Sequence, residues 1–315
     1  MKQVRIVSIS VNAESCSTYE EILQKAEGLI LEAAKGSPDI IVLPEAFAHM
    51  AYPADEWTDK AETVQGKTIS RFAKLAKRIG AIIIFPTIER IGKRIFNSAV
   101  FLSAKGIVLN QYHKTIPTVG EIEADICPGD GAVVVDTPMG RLGALICYDI
   151  NFLEMYEALR RERPRIIFFV SAFRGGLRTR YLALECASYV VVANNFSNQL
   201  INPLGRLLNK AGMRQECFAA LPQYLEETIN LNFGVYHLDF NMNVLQKLRN
   251  KYAGKLRLEV AQAEAVFLLE SLDPKLSIEK VEKEFKLERS LDYYDRARKA
   301  VCKAKPNFLM RKSVK

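Results

Sequence analysis

The run DIIVLPE at residues 39–45 has the composition of a short buried strand. Four consecutive apolar residues lead into a proline, which is typical of a strand that stops there. A second run of the same kind, AIIIFP, occupies residues 81–86, and we expect that strand to end at Pro86. In α/β proteins the carboxyl ends of such strands carry the chemistry. Glu45, at the end of the first run, is therefore a candidate functional residue.

Strands of this kind alternate with amphipathic helical segments up to about residue 200. Residues 4–11 form the first predicted strand, and a capping-box pattern from Ser17 to Glu20 predicts the start of a helix. The alternation predicts an α/β fold. After residue 240 the pattern turns helical and charged, with helices expected over 278–285 and 290–300. We therefore expect a main domain, 1–240, and a helical C-terminal extension, 241–315, packed on the same domain or on a partner subunit.

The overall composition is that of a soluble globular protein. Apolar residues make up 49% and charged residues 25%, and no stretch reaches the ~18 apolar residues that a membrane span needs. The chain starts without a signal-peptide pattern, and its six cysteines form no Cys-x-x-Cys pair. We expect a cytoplasmic protein with no membrane partner. No nucleic-acid motif accompanies the net charge of +8, so no nucleic-acid partner is predicted.

One cysteine lies in a setting that suits a nucleophile. The run LGALICYD at residues 142–149 predicts a strand that ends at Cys147 in a sharp turn, which would expose the sulfur and nearby backbone N–H groups. A buried, unreactive thiol is the usual alternative. A thiol with a pKa of ~8.5 needs a base or a cation beside it at neutral pH. The three histidines, His49, His113 and His237, stand in no recognisable Cys-His hydrolase pattern.

A carboxylate and an ammonium group can take the place of a histidine. The carboxylate accepts the thiol proton, and the ammonium stabilises the oxyanion that forms during attack. Lys114 follows the second strand of a hairpin that is predicted over residues 96–112. Taken singly, Glu45 would be interpreted as an acidic residue at the start of a helix, and Lys114 as a solvated charge after a strand. Together with Cys147, they make a candidate catalytic set.

Three motifs carry a resemblance to a known family. LPE at 43–45, YHK at 112–114 and ICYD at 146–149 stand in the order found in the nitrilase superfamily of carbon-nitrogen hydrolases, which the chain resembles from residue 4 to about 240. The resemblance implies a four-layer αββα sandwich, paired as a homodimer or higher homo-oligomer. It implies Glu45 as general base, Lys114 as oxyanion-stabilising cation and Cys147 as nucleophile, with the Tyr148 backbone amide completing the oxyanion site. It implies no metal or organic cofactor.

The resemblance also concerns residues around this set. Many members of the family use a second glutamate after the lysine, and Glu121 is preferred here over Glu123, with a surface acid as the alternative for both. Phe173, Tyr52 and Phe47 are candidates for substrate contact. A core position is the alternative for each of these aromatic side chains.

The residues after the nucleophile indicate the substrate class. Nitrilases tend to have tryptophan and glutamate there, whereas Cys147-Tyr148-Asp149 is more similar to the amidase branches. The function predicted is hydrolysis of a small amide at a non-peptide carbon-nitrogen bond through a thioester, with release of ammonia or an amine. An N-carbamoyl amide hydrolase or a nitrilase with the same triad is one alternative. A catalytically silent binding protein of the same fold is the other.

Overall fold

The computed structural model describes residues 3–11, 13, 16–211 and 224–305. Cys217 and the basic residues beyond 305 lie outside this range. The chain forms two compact units, one over Gln3–Ile229 and the other from Asn230 onward. The domain division at residues 240 and 241 stays a prediction.

The described residues of the first unit form two six-stranded sheets and five α-helices. Its strands are β1 (Gln3–Ile9), β2 (Ile40–Val42), β3 (Ile82–Ile91), β4 (Arg94–Leu102), β5 (Val108–His113), β6 (Val134–Thr137), β7 (Gly140–Ile146), β8 (Ile166–Ser171), β9 (Tyr189–Asn194), β10 (Asn198–Ile201), β11 (Leu207–Ala211) and β12 (Tyr224–Asn230). Its helices are α1 (Tyr19–Ala34), α2 (Lys67–Ile79), α3 (Val119–Glu123), α4 (Leu153–Glu162) and α5 (Leu177–Cys186).

The two sheets have similar topologies. In the first, the strand order is β12-β1-β2-β3-β4-β5, with β1, β2 and β3 parallel and β4 and β5 joined as antiparallel strands. In the second, the order is β11-β10-β9-β8-β7-β6, with β7, β8 and β9 parallel and β6 antiparallel to β7. Each sheet therefore has a parallel centre, whose strands end at one edge.

The sheets pack face to face, with helices outside. Ser8 Oγ of β1 donates to the Val192 carbonyl of β9 over 2.9 Å, and Ser10 Oγ donates to the Asn194 carbonyl over 2.8 Å. Helices α1 and α2 share an apolar core with the first sheet, and α5 contacts β9 of the second. The unit is a four-layer αββα sandwich, which confirms the predicted α/β class and architecture.

Two local predictions are wrong in detail. Strand β3 does not end at Pro86 but continues to Ile91; because β2 stops at Val42, the missing N–H of Pro86 leaves no β2 carbonyl without a donor. Helix α1 is capped by Thr18, whose side chain accepts from the Glu21 N–H over 3.2 Å. Thr18 and Glu21 thus do what was expected of Ser17 and Glu20.

The second unit combines a sheet with helices. It has antiparallel strands β13 (Phe233–His237), β14 (Leu256–Ala261) and β15 (Val266–Ser271) in the order β13-β15-β14. Its helices are α6 (Leu238–Asn241), α7 (Leu245–Lys251), α8 (Ile278–Phe285) and α9 (Ser290–Ala304). The two predicted helices are confirmed as α8 and α9, but β14 and β15 were not predicted in an extension expected to be helical.

The turn between β14 and β15 explains this miss. The connection QAEA at residues 262–265 has no glycine, proline or asparagine, so its composition favours a helix rather than a hairpin. Ala265 nevertheless takes a φ of 55°, and β15 is buried along its whole length. Burial of β15 outweighs the helical preference of the turn.

Across the described residues, none of the helices has the length and apolarity to cross a membrane.

Candidate active site

Glu45, Lys114 and Cys147 come together at the carboxyl ends of three strands. Glu45 follows β2 after two intervening residues, Lys114 directly follows β5, and Cys147 directly follows β7. The Lys114 Nζ lies 2.9 Å from Glu45 Oε1, and the Glu45 carboxylate is close enough to the Cys147 thiol to raise its pKa. The Lys114 and Glu45 side chains are 1% and 2% exposed. A buried base and a buried cation therefore lie beside a partly buried thiol.

Cys147 occupies a strained turn between β7 and a short 3-10 helix, Cys147–Asn151. Its φ is 48°, a conformation that non-glycine residues rarely adopt. Burial and the negative charge of Glu45 raise the pKa of the thiol to about 12, although Lys114 and a hydrogen bond from Ser171 act in the opposite direction. The resting thiol is protonated at neutral pH, so attack requires a base that removes its proton.

Asp149 anchors this turn. Its buried carboxylate accepts from the Tyr112 hydroxyl over 2.6 Å, from the Ile116 N–H over 2.8 Å and from the Ile146 N–H over 3.1 Å. Burial raises the pKa of Asp149 to about 6, against the effect of these three hydrogen bonds. Because Tyr112 and Ile116 flank Lys114 in the chain, Asp149 ties the cysteine turn to the lysine segment. This role of Asp149 was not predicted from the sequence.

Lys114 also contacts a second carboxylate. Its Nζ lies 2.7 Å from Glu121 Oε2 and 3.0 Å from Glu121 Oε1. Burial disfavours the ionised form of Glu121, but Lys114 and further donors outweigh it and leave the pKa of Glu121 below its usual value. Glu123, on the same short helix, is exposed. Of the two glutamates left open by the sequence, Glu121 is the one that contacts Lys114.

The position of Glu121 is fixed by the start of α3. Thr118 caps this helix, accepting from the Glu121 N–H over 3.2 Å, while Glu121 Oε2 accepts from the Thr118 N–H over 2.8 Å. This reciprocal capping box holds the carboxylate beside Lys114. Burial lowers the pKa of Lys114, but Glu45, Cys147 and Glu121 together raise it above its ordinary value. Lys114 is therefore a permanent cation at neutral pH.

Two further donors complete the surroundings of Glu45. The Ala172 N–H, just beyond β8, donates to Glu45 Oε2 over 2.8 Å. Asn97, in β4, donates through Nδ2 to Glu45 Oε1 over 2.9 Å and to Glu121 Oε1 over 2.8 Å. Asn97 was not predicted from the sequence, because the pattern of a strand does not show that a buried amide will contact a carboxylate two strands away.

The aromatic candidates for substrate contact have different environments. Tyr148 and Phe173 are 38% and 39% exposed at the ends of β7 and β8, and the Phe173 N–H donates to Ser171 Oγ over 3.0 Å. Tyr52 packs against a small apolar cluster, with Lys60 Nζ 4.0 Å from its ring centroid. Phe47 is 1% exposed in the core. Tyr148 thus directly follows Cys147 in the chain. Phe173 lies two residues after Ser171, which contacts Cys147.

Comparison with known proteins decides the family. The model of the carbon-nitrogen hydrolase family matches residues 4–230. The chain belongs to this family. The omega-amidase NIT2 of Bos taurus is 27% identical to this carbon-nitrogen hydrolase over an alignment of 242 residues, and the match covers 68% of this chain and 87% of that protein. The family model therefore covers the first unit, and the match to the omega-amidase covers most of that relative.

Solved structures show the same fold. Saccharomyces cerevisiae Nit3, a member of branch 10 of the nitrilase superfamily, superposes with a TM-score of 0.64 at 19% identity and covers 80% of this chain and 94% of its own. A mutant of the amidase from Nesterenkonia sp. AN1 gives a TM-score of 0.63 at 18% identity, covering 79% of this chain and 96% of its own. This carbon-nitrogen hydrolase has the sandwich of the nitrilase superfamily.

Proposed function

We propose that this carbon-nitrogen hydrolase cleaves a small amide at a non-peptide carbon-nitrogen bond through a thioester on Cys147. The observation that carries the proposal is the convergence of Glu45, Lys114 and Cys147 from three strand ends into one buried cluster. The similarity to an omega-amidase supports an amide as the substrate. In the Nesterenkonia amidase mutant, the acetamide moiety of fluoroacetamide is covalently added at the active-site cysteine, which supports a cysteine nucleophile.

In the first half-reaction, Glu45 accepts the proton of the Cys147 thiol as the sulfur attacks the amide carbon. A carbon-sulfur bond forms, and the carbonyl oxygen becomes an oxyanion held by the Lys114 ammonium and the Tyr148 N–H. The carbon-nitrogen bond then breaks, and the leaving nitrogen takes the proton from Glu45. Ammonia or an amine departs, and a thioester on Cys147 remains.

In the second half-reaction, Glu45 takes a proton from a water molecule that attacks the thioester carbon. The carbon-sulfur bond breaks, Cys147 recovers its proton through Glu45, and the carboxylic acid product leaves. Lys114 stabilises the oxyanion again, and Glu121 keeps Lys114 charged and in place. The contacts of Lys114 with both glutamates support this division of roles.

Tyr148, Phe173 and Tyr52 are proposed to contact the substrate. The exposure of Tyr148 and Phe173 at the strand ends supports this role, and Tyr52 is retained from the family resemblance. An N-carbamoyl amide or a nitrile would meet the same Glu45, Lys114 and Cys147, so these substrates belong in any test.

The five cysteines among the described residues are all free thiols, which supports a reducing, cytoplasmic location.

The test is ammonia release from a panel of aliphatic, aromatic and carbamoyl amides and nitriles. Cys147→Ala and Cys147→Ser should abolish release, while Cys302→Ser, which changes an exposed cysteine on α9, should retain it. Undiminished release by Cys147→Ala would contradict the proposed nucleophile. A folded wild-type protein that releases ammonia from none of these compounds would contradict amide hydrolysis.

A further inference from the structure

Asn97 stands between the two carboxylates of the site. It lies in β4, fully buried, and its Nδ2 donates to Glu45 Oε1 over 2.9 Å and to Glu121 Oε1 over 2.8 Å. Its backbone carbonyl accepts from the Lys114 N–H over 2.8 Å. One residue therefore binds the two glutamates through its side chain and the lysine through its backbone.

The amide orientation serves the carboxylates at a cost to the residue itself. Within the part of the chain that the structure describes, Asn97 Oδ1 is buried with no hydrogen-bond partner, which is unfavourable for a polar atom. An asparagine that only filled the core would gain by satisfying both ends of its amide. Both Nδ2 hydrogens are instead donated to Glu45 and Glu121.

A neutral donor is suited to this position because the charges around it are already dense. Glu45 and Glu121 share the single ammonium of Lys114, with the Cys147 thiol and Asp149 close by. Like charges this close repel each other, and the Asn97 N–H is one of the donors that hold the pKa of Glu121 below its usual value. Asn97 supplies that donor without adding another charge.

We propose that Asn97 is a positioning residue that holds the Glu45 carboxylate in the orientation that proton transfer from Cys147 requires. This inference rests on the proposed function. Asn97 touches neither the reacting sulfur nor the scissile bond in that scheme; it acts through Glu45 and Glu121. Its loss should therefore change the pH dependence of turnover and lower kcat more than it raises KM.

The test compares Asn97→Asp and Asn97→Ser with the neighbouring control Ser98→Ala. Asp keeps the size of Asn97 but replaces its donor with a charge, and Ser keeps one smaller donor. Ser98 Oγ is buried with no partner among the described residues, so the control removes no hydrogen bond. We expect Asn97→Asp to lower kcat about 10²-fold, Asn97→Ser to lower it less, and the acid limb of kcat/KM to move to higher pH in both.

The acid limb of kcat/KM separates a positioning role of Asn97 from a structural one. An acid limb that stays in place in both folded Asn97 variants would overturn the positioning role and leave only a structural one. If Asn97→Asp does not fold, the acid limb of kcat/KM in Asn97→Ser alone tests the positioning role. Alkylation of Cys147 by iodoacetamide is followed against pH in the same proteins. A wild type that turns over no amide then contradicts the proposed function, while an unchanged alkylation profile in Asn97→Ser overturns the positioning role independently.

Discussion

At the scale of single residues, the site depends on a thiol that is hard to ionise beside a carboxylate that can take its proton. Burial and Glu45 raise the pKa of Cys147 to about 12, so very little thiolate exists at neutral pH. A free thiolate is therefore not the resting state in this account. Proton transfer to Glu45 and attack on the substrate are coupled, and Lys114 is present to stabilise the oxyanion as it forms.

Glu45→Gln should separate the acidity of the thiol from catalysis. Removing the negative charge beside Cys147 lowers the pKa of the thiol, because that charge is one of its causes. The same change removes the base, so kcat should fall about 10³-fold. Thiolate absorbance measured against pH and ammonia release report the two effects.

The matched control is Glu123→Gln, since Glu123 is exposed. It should leave the thiol titration and the turnover unchanged. If the thiol of Glu45→Gln titrates at a higher pH than that of the wild type, the electrostatic account of Cys147 is wrong.

At the scale of elements, the turn after β7 is held by contacts from the segment around Lys114. Asp149 accepts three hydrogen bonds from Tyr112, Ile116 and Ile146, which span the end of β5, the loop after it and the end of β7. Such a bridge between segments fixes the positive φ of Cys147 relative to the lysine. Misplacing a nucleophile by a small distance is costly in rate.

Asp149→Asn should weaken both the fold and the reaction. In one orientation of the new amide, its Nδ2 faces the Ile116 N–H. In the other orientation, Nδ2 faces the Tyr112 hydroxyl and the Ile146 N–H, so a donor meets a donor in both cases. We expect a loss of about 2 kcal/mol in the free energy of unfolding and a lower kcat. Urea denaturation and ammonia release measure the two quantities.

Asp130→Asn is the control, because Asp130 is exposed. It should change neither the unfolding midpoint nor kcat. Full stability and full activity in Asp149→Asn would show that the bridge does not position the cysteine turn.

At the scale of the whole molecule, the outer surface of the first unit carries exposed apolar side chains. Leu153 on α4 and Leu177 and Tyr181 on α5 are 62%, 77% and 46% exposed. The family resemblance implies a homo-oligomer, homo-oligomers usually pair symmetrically, and a partner that covers exposed apolar side chains removes their area from water. We propose that a second copy of the chain covers this layer.

A dimer formed through α4 and α5 should have a mass near twice the 35.5 kDa of one chain. Leu177→Arg combined with Tyr181→Glu should shift the mass in light scattering to that of a monomer, because the changes bury charges in the interface. The control Leu109→Lys alters an exposed leucine on β5 and should leave the dimer intact. A wild type that stays monomeric at high concentration would contradict the proposal.

Much of this organisation could be predicted from the sequence, for a physical reason. Glu45 and Cys147 each follow a strongly apolar strand, Lys114 follows a hairpin strand, and the carboxyl ends of strands that run in the same direction meet at one edge. Of the partners of these residues, Glu121 could be predicted from the family resemblance, but Asn97 and Asp149 could not, because they act through contacts between segments that are distant in the chain. The hairpin of the second unit was missed because its turn has helical composition.

The most direct test of a Cys147 thioester is the intact mass of the enzyme, quenched in acid during turnover of the amide that releases ammonia fastest. We expect an added mass equal to the acyl group, located by peptide mapping on Cys147 and absent from Cys147→Ala. Sustained turnover by a protein that carries no acyl group at any time after mixing, or an acyl group on another residue, would contradict a Cys147 thioester.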